Sequence, residues 1–151
     1  MAEQLKRGQL VTSFISEPDK KKILRSLFIY IGVTLFVALF GFVYELFGHG
    51  VHSLAMEFAF LYPLGFGVII YGLLYAFPIK MCPGFLVQNI YNFGIAMLTC
   101  GSIFQGVIEI YGTTNTFFSY TYYIVGALAT SAALVLYIIG IIINIGRNKT
   151  P

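Results

Sequence analysis

The sequence predicts an all-α polytopic membrane protein: four transmembrane helices forming two tandem helical hairpins, with both chain ends on one side. Three observations carry that expectation: four long apolar stretches, a one-sided sorting of basic residues, and a short internal repeat. Of 151 residues, 58% are apolar, 17% aromatic and only 10% charged, a composition foreign to an ordinary soluble domain. A bilayer-crossing helix needs about 20 residues. The apolar runs over 27–47, 54–77, 85–111 and 118–145 all reach that length. The last two exceed it, so tilt or interfacial ends are expected.

Charge placement orients these spans. The nine basic residues, Lys6, Arg7, Lys20, Lys21, Lys22, Arg25, Lys80, Arg147 and Lys149, fall in the tail 1–26, the middle loop and the tail 147–151. With an even number of spans these three segments share a side, and the positive-inside rule makes it cytoplasmic. The loops 48–53 and 112–116 hold no Lys or Arg and are expected to face outward. The net charge of +3 therefore reads as an orienting bias that also suits anionic lipid heads. It does not point to nucleic acid.

Taken in order, the tail 1–26 is polar, with Leu5, Leu10, Val11, Phe14 and Ile15 able to form a short interfacial helix before the Glu17-Pro18 break. Lys20-Lys21-Lys22 and Arg25 anchor the entrance to the first span, which reads as an uncleaved signal anchor because it is longer than a signal h-region. In the second span, Pro63, Gly65 and Gly67 of LYPLGFG predict a kink or a close helix approach. Pro78 and Pro83 bound the middle loop. The third span is the most polar. Asn92, Thr99, Ser102, Gln105 and Glu109 fall within a sector of roughly 140° at 100° per residue. Such a stripe serves either as interhelical hydrogen-bond glue, the commoner role, or as a cavity lining. The fourth span carries Gly126, Ala127, Ala129, Ser131, Ala132 and Ala133, a small-residue surface, and Tyr120, Tyr122 and Tyr123 at its outer end. The four spans make one membrane domain over 27–146. Cys82 in the loop and Cys100 in mid-span are not expected to form a disulfide. The Asn148-Lys149-Thr150 sequon sits on the expected cytoplasmic side and reads as chance.

The repeat links the two hairpins. GFVYELFG over 41–48 and QGVIEIYG over 105–112 align at an offset of 64, matching Val43 with Val107, Glu45 with Glu109 and Gly48 with Gly112. Both copies sit at the outer end of a span, which predicts two hairpins of like orientation. A glycine ending each helix could arise independently as a good C-cap.

Titratable groups gather at that outer end. Glu45, His49, His52, Glu57 and Glu109 form a set with no basic side chain among them, a candidate ligand-binding cluster. Glu45 to His49 is i,i+4 and His49 to His52 is i,i+3, so the three could share a face if the helix continued; Gly48 and Gly50 argue that it stops. Two imidazoles and a carboxylate suit a divalent metal such as zinc, with Glu45, His49 and His52 as ligands. The competing reading makes the glutamates hairpin caps and the histidines ordinary interfacial residues. Haem is disfavoured, because both histidines lie on one turn. No nucleotide loop, nucleophile elbow or triad is present, so an enzyme is not expected.

YELFGHGVHS after the first span and GVIEIYGTTN after the third resemble a group of uncharacterised small four-helix integral membrane proteins of Gram-positive-type bacteria. That resemblance implies the bacterial plasma membrane and brings no activity with it. Small multidrug exporters are less similar, since their membrane glutamate lies deep in the first helix and Glu45 lies at its outer end. The leading expectation is a membrane protein whose outer Glu/His cluster binds a cation, small ligand or partner. The alternatives are a transporter coupling protons or cations through Glu45 or Glu109, and an accessory subunit of a homo-oligomer or larger membrane complex.

Overall fold

The computed structural model describes residues 13–16, 19–48, 51–77, 82–112 and 117–147. It is all-α apart from one two-residue pairing. Helix α1 spans Lys20–Leu46, α2 Leu54–Glu57, a π-helical segment Pro63–Ile69, α3 Ile70–Ala76, α4 Phe85–Ile110 and α5 Phe117–Arg147. Three of these, α1, α4 and α5, are long and apolar enough to cross a membrane; Pro63–Ala76 is a shorter apolar helix.

Helix α1 begins seven residues before the expected span, because Asp19 caps it, its carboxylate accepting from the backbone N–H groups of Lys21 (3.1 Å) and Lys22 (3.4 Å). The basic turn is thus part of the helix and projects beyond the apolar run. One stripe of α1 is buried, Ile23, Tyr30, Thr34, Val37 and Gly41. The opposite face shows Phe28, Leu35, Phe36, Leu39 and Phe42. A helix apolar all round with only a narrow buried stripe is what lipid, and not water, permits.

The expectation of one continuous helix over 54–77 is corrected. Four residues of α2 end at Glu57, a turn covers 58–60, and the chain re-enters a helix that is π-wound from Pro63. Proline has no N–H to donate and its ring displaces the carbonyl a turn earlier; a widened turn is one way to absorb both faults. Gly67 lets the widened turn lie flat on the Tyr30 ring, where any Cβ would collide with ring carbons.

Packing fixes which ends meet. Ile15 and Ser16 pair antiparallel with Pro83 and Cys82, Gly84 N–H donates to the Phe14 carbonyl at 2.8 Å, and Gly140 of α5 abuts Phe14 and Ile15. Residues 13–16 of the N-terminal tail, 82–84 of the middle loop and the Gly140 region of α5 therefore come together at one end of the molecule; of the C-terminal tail expected beside them, 148–151 lie outside the described residues. Buried in the loop, Cys82 has its thiol pushed up by desolvation, and it forms no disulfide with Cys100.

Helices α4 and α5 are the tightest pair, packed along their length. Gly94 and Gly126 face each other's backbones, and a Cβ at Gly94 would overlap Thr130. Small residues bring helices close where no hydrophobic effect drives them together. The first hairpin differs: α1 packs chiefly on the π-helical segment and α3, around a core of Ile23, Tyr30, Tyr71, Cys82 and Ile95.

Gly94→Leu should force α4 from α5 and lower stability by about 1–3 kcal/mol, the usual cost of overpacking. Gly32, with no atom within 4 Å of a built Cβ, should accept the same change without loss. Thermal melts of the two variants in one detergent check the contrast.

Candidate functional site

The outer turns of the two hairpins are held by a short helix wedged between them. Met56 of α2 is 1% exposed and sits between Gly41 of α1 and Gly106 of α4; a Cβ at Gly106 would overlap Met56 itself. With Met56 locked there, the residues just before it are carried between the ends of α1 and α4.

Ser53 is the pivot. It is 1% exposed and caps α2, its Oγ accepting from Met56 N–H at 3.3 Å. The same hydroxyl donates to Glu109 Oε2 in a short hydrogen bond. Glu109 Oε1 accepts from Gln105 Nε2 at 2.7 Å, and Ser102 Oγ donates to the Ala55 carbonyl at 2.6 Å. On the other side, His52 Nδ1 lies 3.7 Å from Glu45 Oε2. Repeat-related glutamates thus engage consecutive residues, Glu45 with His52 and Glu109 with Ser53. The repeat extends to the backbone. Gly48 N–H donates to the Glu45 carbonyl (3.0 Å) and Gly112 N–H to the Glu109 carbonyl (3.2 Å), with Gly112 at φ +70°, the left-handed geometry that favours glycine at a helix end.

The two glutamates are not equivalent in environment. Glu109 is exposed and accepts from two side chains. The Glu45 side chain is only 16% exposed, and its Oε1 is buried with no hydrogen-bond partner among the described residues. Its other oxygen, Oε2, lies 3.7 Å from the His52 imidazole, which is 73% exposed. Beside them a cleft of about 360 Å³ opens between the turns, lined by Tyr44, Phe47, Gly48, Ile110 and Tyr111.

Of the sequence-predicted cluster, the structure brings Glu45, His52 and Glu109 around the His52-Ser53 step. Glu57 is exposed on α2, and His49 lies outside the described residues. Among the described residues no three His, Cys, Asp or Glu side chains gather as metal ligands; Glu45 and His52 supply two of the donors the proposed site needs. Ser53 does not meet the requirements of a nucleophile, since it is buried and its hydroxyl is committed to Glu109 and to Met56 N–H.

The polar stripe of α4 forms a line of hydrogen bonds to the broken second segment. Asn92 Oδ1 accepts from both Tyr30 OH (2.8 Å) and Tyr71 OH (2.9 Å), and Tyr91 OH donates to the Phe66 carbonyl of the π-helical turn at 2.9 Å. Thr99 satisfies its hydroxyl within α4, on the Ile95 carbonyl. Sequence reasoning missed Ser53, Met56 and the tyrosine donors. Only Ser53 had a local signal, a serine immediately before an apolar helical run.

No family model, curated protein or solved structure matches this chain.

Asn92→Leu strands two tyrosine hydroxyls where water does not reach, so it should cost about 2–3 kcal/mol, against about 1 kcal/mol for Tyr71→Phe, which removes one donor and leaves the acceptor occupied. Combining Asn92→Leu with Tyr30→Phe and Tyr71→Phe should recover part of the loss, read by chemical or thermal unfolding in detergent.

Proposed function

We propose that the chain is a non-enzymatic protein of a bacterial plasma membrane, with four membrane-embedded helical segments and both chain ends cytoplasmic, whose outer end binds a cation between Glu45 and Glu109. The observation that carries this reading is the Glu45 carboxylate: an Oε1 buried and unpartnered among the described residues, at an end of the molecule where the sequence places no Lys or Arg. A carboxylate oxygen withdrawn from water without a donor is costly, and a bound cation or proton removes that cost. His52 and Glu109 are the titratable neighbours on either side of the His52-Ser53 step; the Ser53 hydroxyl is already committed to Glu109 and only positions it. On the sequence, His49, three residues before His52, is the further imidazole that a divalent metal would call on.

A second reading, an accessory subunit of a larger membrane complex, draws on the exposed small-residue face of α5, Ala127, Ser131 and Ala132, which suits a further helix. Transport coupled through Glu45 or Glu109 has less support. The α4 groups that would line a path inward are bonded to the second segment or to their own helix.

A divalent cation should raise the melting temperature of the purified protein. A ligand at one hundred times its dissociation constant adds about 2.7 kcal/mol. Glu45→Gln should abolish the shift and Glu109→Gln should reduce it; equal shifts in all three proteins would confine both glutamates to packing. Orientation is tested separately, with Val51→Cys (Val51 is 45% exposed) expected to label from outside the cell and Lys80→Cys only after permeabilisation, both in a Cys82→Ala, Cys100→Ala background. The reverse pattern overturns the topology without touching the cation site.

A further inference from the structure

At the end opposite the glutamates, α3, α4 and α5 leave a slot of about 130 Å³, walled by Tyr71, Leu74, Pro83, Tyr91, Ala133 and Tyr137. Three of its walls, Tyr71, Pro83 and Tyr91, are fixed by hydrogen bonds or strand pairing. Tyr71 OH is bonded to Asn92, Tyr91 OH to the Phe66 carbonyl, the Pro83 carbonyl to Gln88 Nε2 at 2.9 Å, and Pro83 is pinned by its pairing with Ile15. The slot is therefore preformed, and the polar groups of Tyr71, Tyr91 and Gln88 are committed to partners in the protein. Water has little to bond to there, and an unfilled gap forfeits dispersion contacts on every wall. Hydrocarbon fits.

Charge identifies which hydrocarbon. Ile23 is buried in the same cluster as Tyr71 and Cys82, with Leu74 and Tyr91 packed on that cluster. The exposed Lys20, Lys21, Lys22 and Arg25 flank Ile23 within one helical turn, so α1 delivers four cations to the end of the molecule where the slot lies. Asp19 takes up part of this charge, at 3.7 Å from Lys22 Nζ. A basic turn at the level of the lipid headgroups attracts anionic lipid.

We propose that this slot holds one acyl chain of an anionic phospholipid whose phosphate lies against the Lys20–Arg25 turn. The proposal rests on the membrane reading above but not on the cation site. The full chain, extracted from membranes containing phosphatidylglycerol and phosphatidylethanolamine into a mild detergent, should retain one phospholipid per chain in native mass spectrometry, enriched in phosphatidylglycerol. Leu134, which is 53% exposed, lines the open side of the slot. Leu134→Trp should fill it and reduce the retained lipid at least tenfold with an unchanged melting curve; Ile70→Trp, entering from α3, serves if that variant does not fold. Replacing Lys20, Lys21, Lys22 and Arg25 with Gln should erase the headgroup preference. A lipid-free chain, retention indifferent to the tryptophans, or equal retention of both headgroups in the wild type would overturn the proposal. So would a dimer broken by Leu134→Trp, which would give the slot to a second copy. Any of these results in a protein that still requires detergent leaves the membrane reading standing.

Discussion

The second segment of this chain is broken, and in a bilayer a broken helix needs its polar groups met from within the protein. Helix α4 meets them. Along one face it offers Glu109 to Ser53, Ser102 to the Ala55 carbonyl, Tyr91 to the Phe66 carbonyl and Asn92 to Tyr71. The first three contacts run antiparallel from the start of α2 to the π-helical turn, and Asn92 adds the one to α3. The polar stripe and the break are two halves of one arrangement, and neither is stable alone in hydrocarbon. The position of α1 depends on it, since α1 reaches the rest of the molecule largely through this segment.

How much of this was legible in the sequence follows from the range of each interaction. The three long helices, the polar face of α4 and the pairing of Glu45 with Glu109 rest on patterns within a helix or a repeat, and all can be read from spacing. The break at Glu57 cannot. Pro63 with Gly65 and Gly67 marks a fault in the helix, but a kink, a π-turn and a full interruption share that local signature. The outcome is set by acceptors and donors on α4, tens of residues away in the chain. Ser53 was illegible for a similar reason: one serine among many becomes the pivot only because Gly41 and Gly106 leave room for Met56 beside it. His49 falls outside the described residues, so the expected metal trio is read here only through Glu45 and His52.

The internal repeat has kept its ends and changed its middle. Both copies close with a glycine N–H bonded to a glutamate carbonyl three residues back. Beyond the turns the hairpins diverge. The second is a pair of unbroken helices meeting through Gly94 and Gly126, a close approach that needs no side-chain hydrogen bonds. The first has one intact helix and one that is interrupted, held by tyrosines and asparagine. A turn that joins two carboxylates to one connecting segment constrains both copies at once, whereas the packing below it can be solved separately in each.

Sorting of charge between the two ends ties these features together. Basic residues at one end hold a helix entrance in the headgroup region and leave the other end free of cations. A carboxylate such as Glu45 can then sit 16% exposed without being neutralised by a neighbouring lysine. Had a lysine stood in the 48–53 turn, it would have occupied the Glu45 oxygen permanently and turned a responsive group into a fixed ion pair. The cationic turn of α1 belongs to the same end of the molecule as the apolar slot, through the cluster that joins Ile23 to Tyr71 and Cys82. The asymmetry that would orient the chain is thus the same one on which the proposed cation site and the proposed lipid slot rest.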